Sequence, residues 1–201
     1  MIIHEMEQGT PEWFAIRKGK MTASRAQAIG NGSKGLDTYI IDMMADNYSS
    51  GEYEGYTNAH VERGNELEEL ARQAYSLETG NAVKQVGFVE YNEFAGCSPD
   101  GLIGEDGGIE IKCQADKKHF RLILNGEKEI DSSYLWQIQM SLLVTGRKWW
   151  EFIAYNPNFE KSLLVFRILP DEAMHAKLTE GLRIGEGKIK AIQNQLQINN
   201  N

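Results

Sequence analysis

Residues 98–113 read SPDGLIGEDGGIEIKC. The last six, GIEIKC, alternate apolar and charged positions with the period of two that marks a strand. Ile109, Ile111 and Cys113 then share one face, directed into a core, and Glu110 and Lys112 share the other. At ~3.3 Å rise per residue, those two charged side chains stand about 7 Å apart. The glycine-rich GEDGG at 104–108 is a hairpin turn. Folding back over it brings Asp100, placed just after Pro99, beside Glu110. A strand pair with carboxylates on a half-buried face is the centre around which the remaining segments are to be arranged.

Upstream the pattern is mostly helical. Thr10-Pro11-Glu12 is an N-cap followed by proline at the first helical position, opening a helix with Trp13, Phe14 and Ile16 that stops near Gly19. A second short helix begins around Ser24 and a third covers 38–47. Residues 61–78 form the strongest helix, with Leu67, Leu70, Ala71, Ala74 and Tyr75 on one apolar stripe and Gly80 ending it. Strands follow at 87–91 and 94–98 across a YNEF turn. After GIEIKC come a largely buried helix at 132–144, a hairpin of WWEFIAY and SLLVFRI across NPNFEK, and a helix capped by Asp171 with Met174, Leu178 and Leu182 on one side. The order of elements predicts an α/β fold in one domain, residues 1–201, with a short polar tail at about 197–201. Trp136, Trp149 and Trp150 are expected in the core.

The chain has 201 residues and a net charge of −8, from 29 acidic and 21 basic side chains, which argues against a general nucleic-acid coat protein. It does not exclude an enzyme with a local basic channel. Basic residues do cluster: Arg17, Lys18, Lys20 and Arg25, then Lys117, Lys118, His119 and Arg121. The start of the chain has no signal-peptide pattern and no apolar run reaches a membrane span, so a soluble cytoplasmic protein without a membrane role is expected. The two cysteines, Cys97 and Cys113, are too few for a disulfide framework, a thiolate zinc site or an iron–sulfur cluster. Flanking the opening motif, they are expected as reduced neighbours on paired strands.

Asp100 and Glu110 in one half-buried site repel each other, and a divalent cation cancels that repulsion. Oxygen ligands without a histidine or thiolate cluster select Mg2+ or Mn2+. Lys112 adds a positive charge for an anion. Carboxylates, metal and lysine together describe a site for phosphodiester hydrolysis. The competing reading is a surface hairpin with an i, i+2 Glu/Lys pair; the upstream Pro-Asp and the apolar opposite face disfavour it. One of the glutamates in NELEEL can reach the same site from the long helix. Glu68 lies at the edge of the apolar stripe, but spacing alone does not choose among Glu66, Glu68 and Glu69.

The segments SPDG, EIK and RGNELEELARQAYSLETG, with WFAIRKGKMTAS before them and WQIQMSLLVTG after, resemble the phage lambda exonuclease family. This is the YqaJ-type group of viral recombinases and alkaline exonucleases, and the match implies a prophage-encoded bacterial orthologue. The resemblance implies a restriction-endonuclease-like PD-(D/E)XK core, a mixed central sheet flanked by helices. It assigns Asp100, Glu110 and Lys112 as the catalytic trio, with Glu68, Asp100, Glu110 and the carbonyl of Ile111 holding metal. It also implies a glutamine at the active-site wall. Gln139, on one helical face with Leu135, Leu142 and Leu143, is taken for it.

The stretch IRKGKMTASR offers a helix N-terminus, the hydroxyls of Thr22 and Ser24, and the guanidinium fork of Arg17. These can hold a phosphate, or be an ordinary cap and a surface arginine. The resemblance favours a pocket for the 5′-phosphate of the cut strand and adds Ser98 and Lys34 to it. It implies a Mg2+-dependent, processive 5′→3′ exonuclease on linear double-stranded DNA, with two ions, a ring-shaped homotrimer and a single-strand annealing recombinase as partner. The alternative is a restriction-type endonuclease sharing the trio but lacking the phosphate pocket.

Overall fold

The strands divide between two sheets, not the one central sheet expected. The structure is a computed structural model that describes residues 1–49 and 59–199, and of 59–65 and 198–199 the backbone alone. In chain order its elements are β1 (Ile2–His4), α1 (Pro11–Arg17), β2 (Met21–Thr22), α2 (Ala26–Asn31), α3 (Ser33–Tyr48) and α4 (Ala59–Thr79). Then come β3 (Val83–Lys84), β4 (Phe88–Asn92), β5 (Ala95–Cys97), β6 (Gly101–Ile103) and β7 (Gly107–Cys113). The remainder is α5 (Asp116–Asn125), α6 (Ser132–Thr145), β8 (Trp149–Tyr155), β9 (Leu163–Ile168) and α7 (Glu172–Asn199). The larger sheet has the order β3-β6-β7-β8-β9, the smaller β1-β4-β5-β2. Both are mixed: β7 runs parallel to β8 and β2 parallel to β5, the other pairs being antiparallel. The parallel β7–β8 pair needs a long crossover, and α5 and α6 supply it.

The larger sheet is covered on both faces. On one, Ile109, Ile111 and Ile153 pack with Ala71 and Tyr75 of α4. On the other, Trp150, Phe152 and Ala154 meet Ile138, Met140 and Leu142 of α6. Gly107 and Gly108 belong to β7 itself, and the indoles of Trp149 and Trp150 fill the space where their side chains would be, 2.2 and 2.4 Å from a built Cβ. On α7, Gly181 lets the helix lie against α2: a Cβ there would come 2.1 Å from the carbonyl oxygen of Ile29.

Several expectations shift. Of the α4 stripe, Ala71 and Tyr75 are buried, but Leu70 is 48% exposed and Arg72 is buried in its place. The third helix starts at Ser33, five residues early, directly after Gly32 at φ +63°. The basic cluster at 117–121 is a helix, and His119 within it is fully buried. Cys97 and Cys113 are free thiols, but they lie in different sheets and not on paired strands. Helix α7 runs to Asn199, so only residues 200–201 of the anticipated tail lie outside the described residues. No described helix is long and apolar enough to cross a membrane.

Candidate active site

The ladder pairs Gly101 with Ile109 and Leu102 with Gly108, so Asp100, just before β6, stands across from Glu110. Asp100 Oδ2 accepts the backbone N–H of Ile111 at 2.6 Å. This ties the Pro-Asp turn to β7 at the residue after Glu110. Because β7 is flanked by β6 and β8, its Glu110 is only 1% exposed. Glu110 Oε1 accepts from Lys112 Nζ at 2.5 Å and from Gln137 Nε2 at 2.7 Å. Its Oε2 is buried with no hydrogen-bond partner. Lys112 Nζ also sits 5.2 Å above the ring of Tyr134.

Burial, reinforced by the charge of Asp100, pushes the Glu110 carboxyl up to about 8. Burial and then Asp100 likewise raise Glu68 to about 7, with Arg72 and Lys112 pulling the other way. Burial raises Asp100 too, against Lys112 and the Ile111 amide. For Lys112, burial disfavours the ammonium, but the two carboxylates override it and its pKa rises. The site therefore holds three carboxyl groups, raised by burial, which the charges of Lys112 and Arg72 offset only in part. Among the described residues, no three His, Cys, Asp or Glu side chains stand together as a ready-made metal cage. Glu68 is held by Arg72 Nη2 at 2.7 Å, and Glu110 Oε1 by its two donors.

A cleft of about 160 Å3 opens over Asp100, Glu110, Lys112 and Gln137, and at its other end over Trp13, Arg17, Ser24 and Ser98. There Arg17 Nη1 donates to Ser98 Oγ at 2.7 Å, and the guanidinium stacks 4.1 Å over Trp13. The Trp13 indole N–H donates to Ser98 Oγ at 3.0 Å and to the carbonyl of Gly87 at 2.9 Å. Helix α1 carries both Trp13 and Arg17, one turn apart, and Thr10 Oγ1 caps it by accepting from the Trp13 amide. Thr22 is buried beside Ser24, their hydroxyls 3.2 Å apart.

Five expected site residues do not line the cleft: Glu68 (through Arg72), Ile111 and Thr22 are hydrogen-bonded to residues that do, and Lys34 and Gln139 stand elsewhere. Lys34 is exposed at the start of α3 and does not line the cleft. Gln139 donates to the carbonyl of Leu169 at 2.8 Å and accepts the Asp171 amide at 2.9 Å, closing the entry to α7. The glutamine at the cleft wall is Gln137. Two residues apart on a helix is about 200° around it, so the apolar stripe that selected Gln139 pointed away from the site. Gln8, bonded to the carbonyls of Val86 and Pro99, also lines the cleft and was not anticipated. Asn92 ends β4, its side chain accepting from the Phe94 amide across the turn. Of the second basic cluster, Lys118 and Arg121 line a separate cavity of about 150 Å3 that Tyr134 also borders.

An α/β chain with this pair of mixed sheets and this cleft has relatives. The sequence profile of the YqaJ-like viral recombinase domain matches residues 12–148, and the chain belongs to that family. Its fold is similar to that of an alkaline exonuclease from Laribacter hongkongensis, at 31% identity and a TM-score of 0.84, covering 94% of this chain and 97% of that one. The same relative in complex with dAMP matches equally. A phage-related exonuclease from Haemophilus somnus 129PT shares the fold at 17% identity and a TM-score of 0.65, covering 88% of this chain and 96% of that one. No curated protein matches the chain significantly.

Proposed function

We propose that this chain is a Mg2+-dependent, processive 5′→3′ exonuclease. It digests one strand of linear double-stranded DNA to 5′-mononucleotides and leaves a 3′ overhang for recombination by strand annealing. The observation that carries this reading is the cleft itself. It has Asp100, Glu110 and Lys112 at one end, and at the other the Arg17–Ser98 pair beside the hydroxyl of Ser24. The L. hongkongensis enzyme is an alkaline exonuclease with a dAMP complex, which supports a cleft of nucleotide size. On this reading residues 1–201 are one domain with a PD-(D/E)XK core.

The residues fit a divalent cation. Glu110 Oε2 is buried without a donor, and burial, with the charge of Asp100 adding to it, raises the proton affinity of Glu110 and Glu68. Asp100, Glu110, the carbonyl of Ile111 and Glu68 would hold two Mg2+ ions, or Mn2+ in their place. The metal, when bound, supplies Lewis acidity toward the phosphoryl group and acidifies water. Lys112 offsets developing charge on the phosphate and, with Gln137, orients Glu110. Arg17, Ser98, Ser24 and Thr22 receive the terminal phosphate, with Lys34 reaching the strand from outside the cleft. A homotrimeric ring around DNA accounts for processivity and lets the outer surface stay acidic. A single-strand annealing recombinase takes up the overhang, in the cytoplasm.

The test is digestion of linear duplexes labelled at either end, with Mg2+ and with chelator, beside a closed circular plasmid. Release from 5′ ends alone, abolished by chelator and absent on the circle, is expected. Cutting of the circle would favour the restriction-type endonuclease. A mass near three times 22.7 kDa by light scattering is expected for the ring; a monomer that digests long DNA without dissociating overturns that part.

A further inference from the structure

Arg72 lies outside the cleft, yet its side chain is only 10% exposed, in the middle of a helix that contributes a carboxylate to the site. Its whole donor set is committed. Nη2 donates to Glu68 Oε1 at 2.7 Å, Nη1 to Glu69, and Nε to the carbonyl oxygen of Asp100 at 3.2 Å. The Gln85 amide completes the set when its oxygen faces the guanidinium, 2.7 Å from Nη1 and 3.2 Å from Nη2. A single planar fork thus connects three pieces of chain: α4 through Glu68, the Pro-Asp turn through the backbone of Asp100, and the segment after β3 through Gln85. Ile111 fixes the Asp100 carboxylate from one side; Arg72 fixes its backbone from the other.

We infer that Arg72 is a positioning residue for metal binding, setting the distance between the Glu68 and Asp100 carboxylates. The inference rests on the metal reading proposed above. A lysine could keep the charge but not the geometry, because an ammonium on a flexible stem cannot span Glu68, Asp100 and Gln85 at once. Groups that orient metal ligands typically change affinity by about 10–100-fold when altered. Arg72→Lys should therefore weaken Mn2+ binding by about tenfold or more. The neutral Arg72→Gln loses the same fork but also removes a charge that repels the ion, so its loss should be no larger.

The experiment measures Mn2+ binding to the full chain by calorimetry and electron paramagnetic resonance. It compares wild type, Asp100→Asn, Arg72→Lys, Arg72→Gln, Glu68→Gln and the Glu68→Gln/Arg72→Lys double variant, each checked by circular dichroism. Weaker binding in folded Arg72→Lys, with a smaller further loss when it is added to Glu68→Gln than when it is made alone, is the expected result; fully additive losses overturn the inference. Wild-type affinity in Arg72→Lys overturns the inference and leaves the metal reading standing. So does loss of fold in both Arg72 variants, which makes the residue one of stability. Wild-type binding that Asp100→Asn does not change removes the metal reading, and the inference with it.

Discussion

Gln137 Nε2 lies 2.7 Å from Glu110 Oε1, so a neutral amide on α6 braces the most deeply buried carboxylate of the site. Two residues on, Gln139 spends its amide on Leu169 and Asp171. Their variants should separate cleanly. A hydrogen bond to a charged group contributes about 1.5–3 kcal/mol, so Gln137→Ala should slow DNA cleavage roughly tenfold to a hundredfold with little change in melting temperature. Gln139→Ala leaves a carbonyl and an amide unsatisfied at about 1–3 kcal/mol each. It should lower stability in urea melts while activity per folded molecule holds. Equal activity losses in the two variants would contradict this assignment.

Asp100→Asn keeps an oxygen to accept the Ile111 amide, and Glu110→Gln keeps most of the shape of the braced side chain. Both remove a charge that burial disfavours. Each should cut nuclease activity by a factor on the order of 10²–10³, the loss typical of removing a preorganised charge-stabilising group. The metal-free fold should be as stable as wild type or more so. Near-wild-type cleavage by Asp100→Asn in Mg2+ would remove the trio from the chemistry.

The raised carboxyls also set a pH dependence. Glu110 and Glu68 rise from the ordinary 4.5 to about 8 and about 7. Between those values the folded chain binds more protons than the unfolded one, so stability falls as pH rises. The penalty is absent below about 4.5 and complete once pH has passed the folded values. In chelator, the melting temperature should decline from about pH 5.5 to about pH 9, and Glu110→Gln should flatten the decline. Saturating Mg2+ should remove most of it, because the ion binds the ionised carboxylates. A melting temperature that rises over that interval in chelator would reverse the sign.

How much of this was legible follows residue by residue. The alternation in GIEIKC placed Glu110 and Lys112 on one face, and the glycine turn placed Asp100 opposite, because strand period and hairpin register are local properties. Thr10 was legible as a cap for the same reason. The second sheet was not, since β1 and β2 are three and two residues long and too short to show a period. Gly32 and Gly35 masked the first turn of α3. Arg72 and Gln137 carry no local signal that places them beside Asp100 and Glu110. Only the packing of α4 and α6 against opposite faces of one sheet turns them inward.

The stack of Arg17 on Trp13, with its hydrogen bond to Ser98, presents a guanidinium at the far end of the cleft from the carboxylates. A terminal 5′-phosphate carries close to two negative charges, against one for an internal diester. A pocket that holds it should gain about 1.5–3 kcal/mol per charge-assisted hydrogen bond, roughly tenfold to a hundredfold in rate or affinity. Arg17→Ala should therefore slow digestion of 5′-phosphorylated DNA strongly and of 5′-hydroxyl DNA much less, bringing the two rates together. Ser98→Ala should do the same more weakly, since it removes one partner of Arg17 but not its charge. Both substrates are to be measured with each variant at one salt concentration, because phosphate contacts weaken with salt. An arginine serving only to pack against Trp13 would lower both rates by one factor, and a wild type without preference for the phosphorylated end would place the terminal phosphate elsewhere.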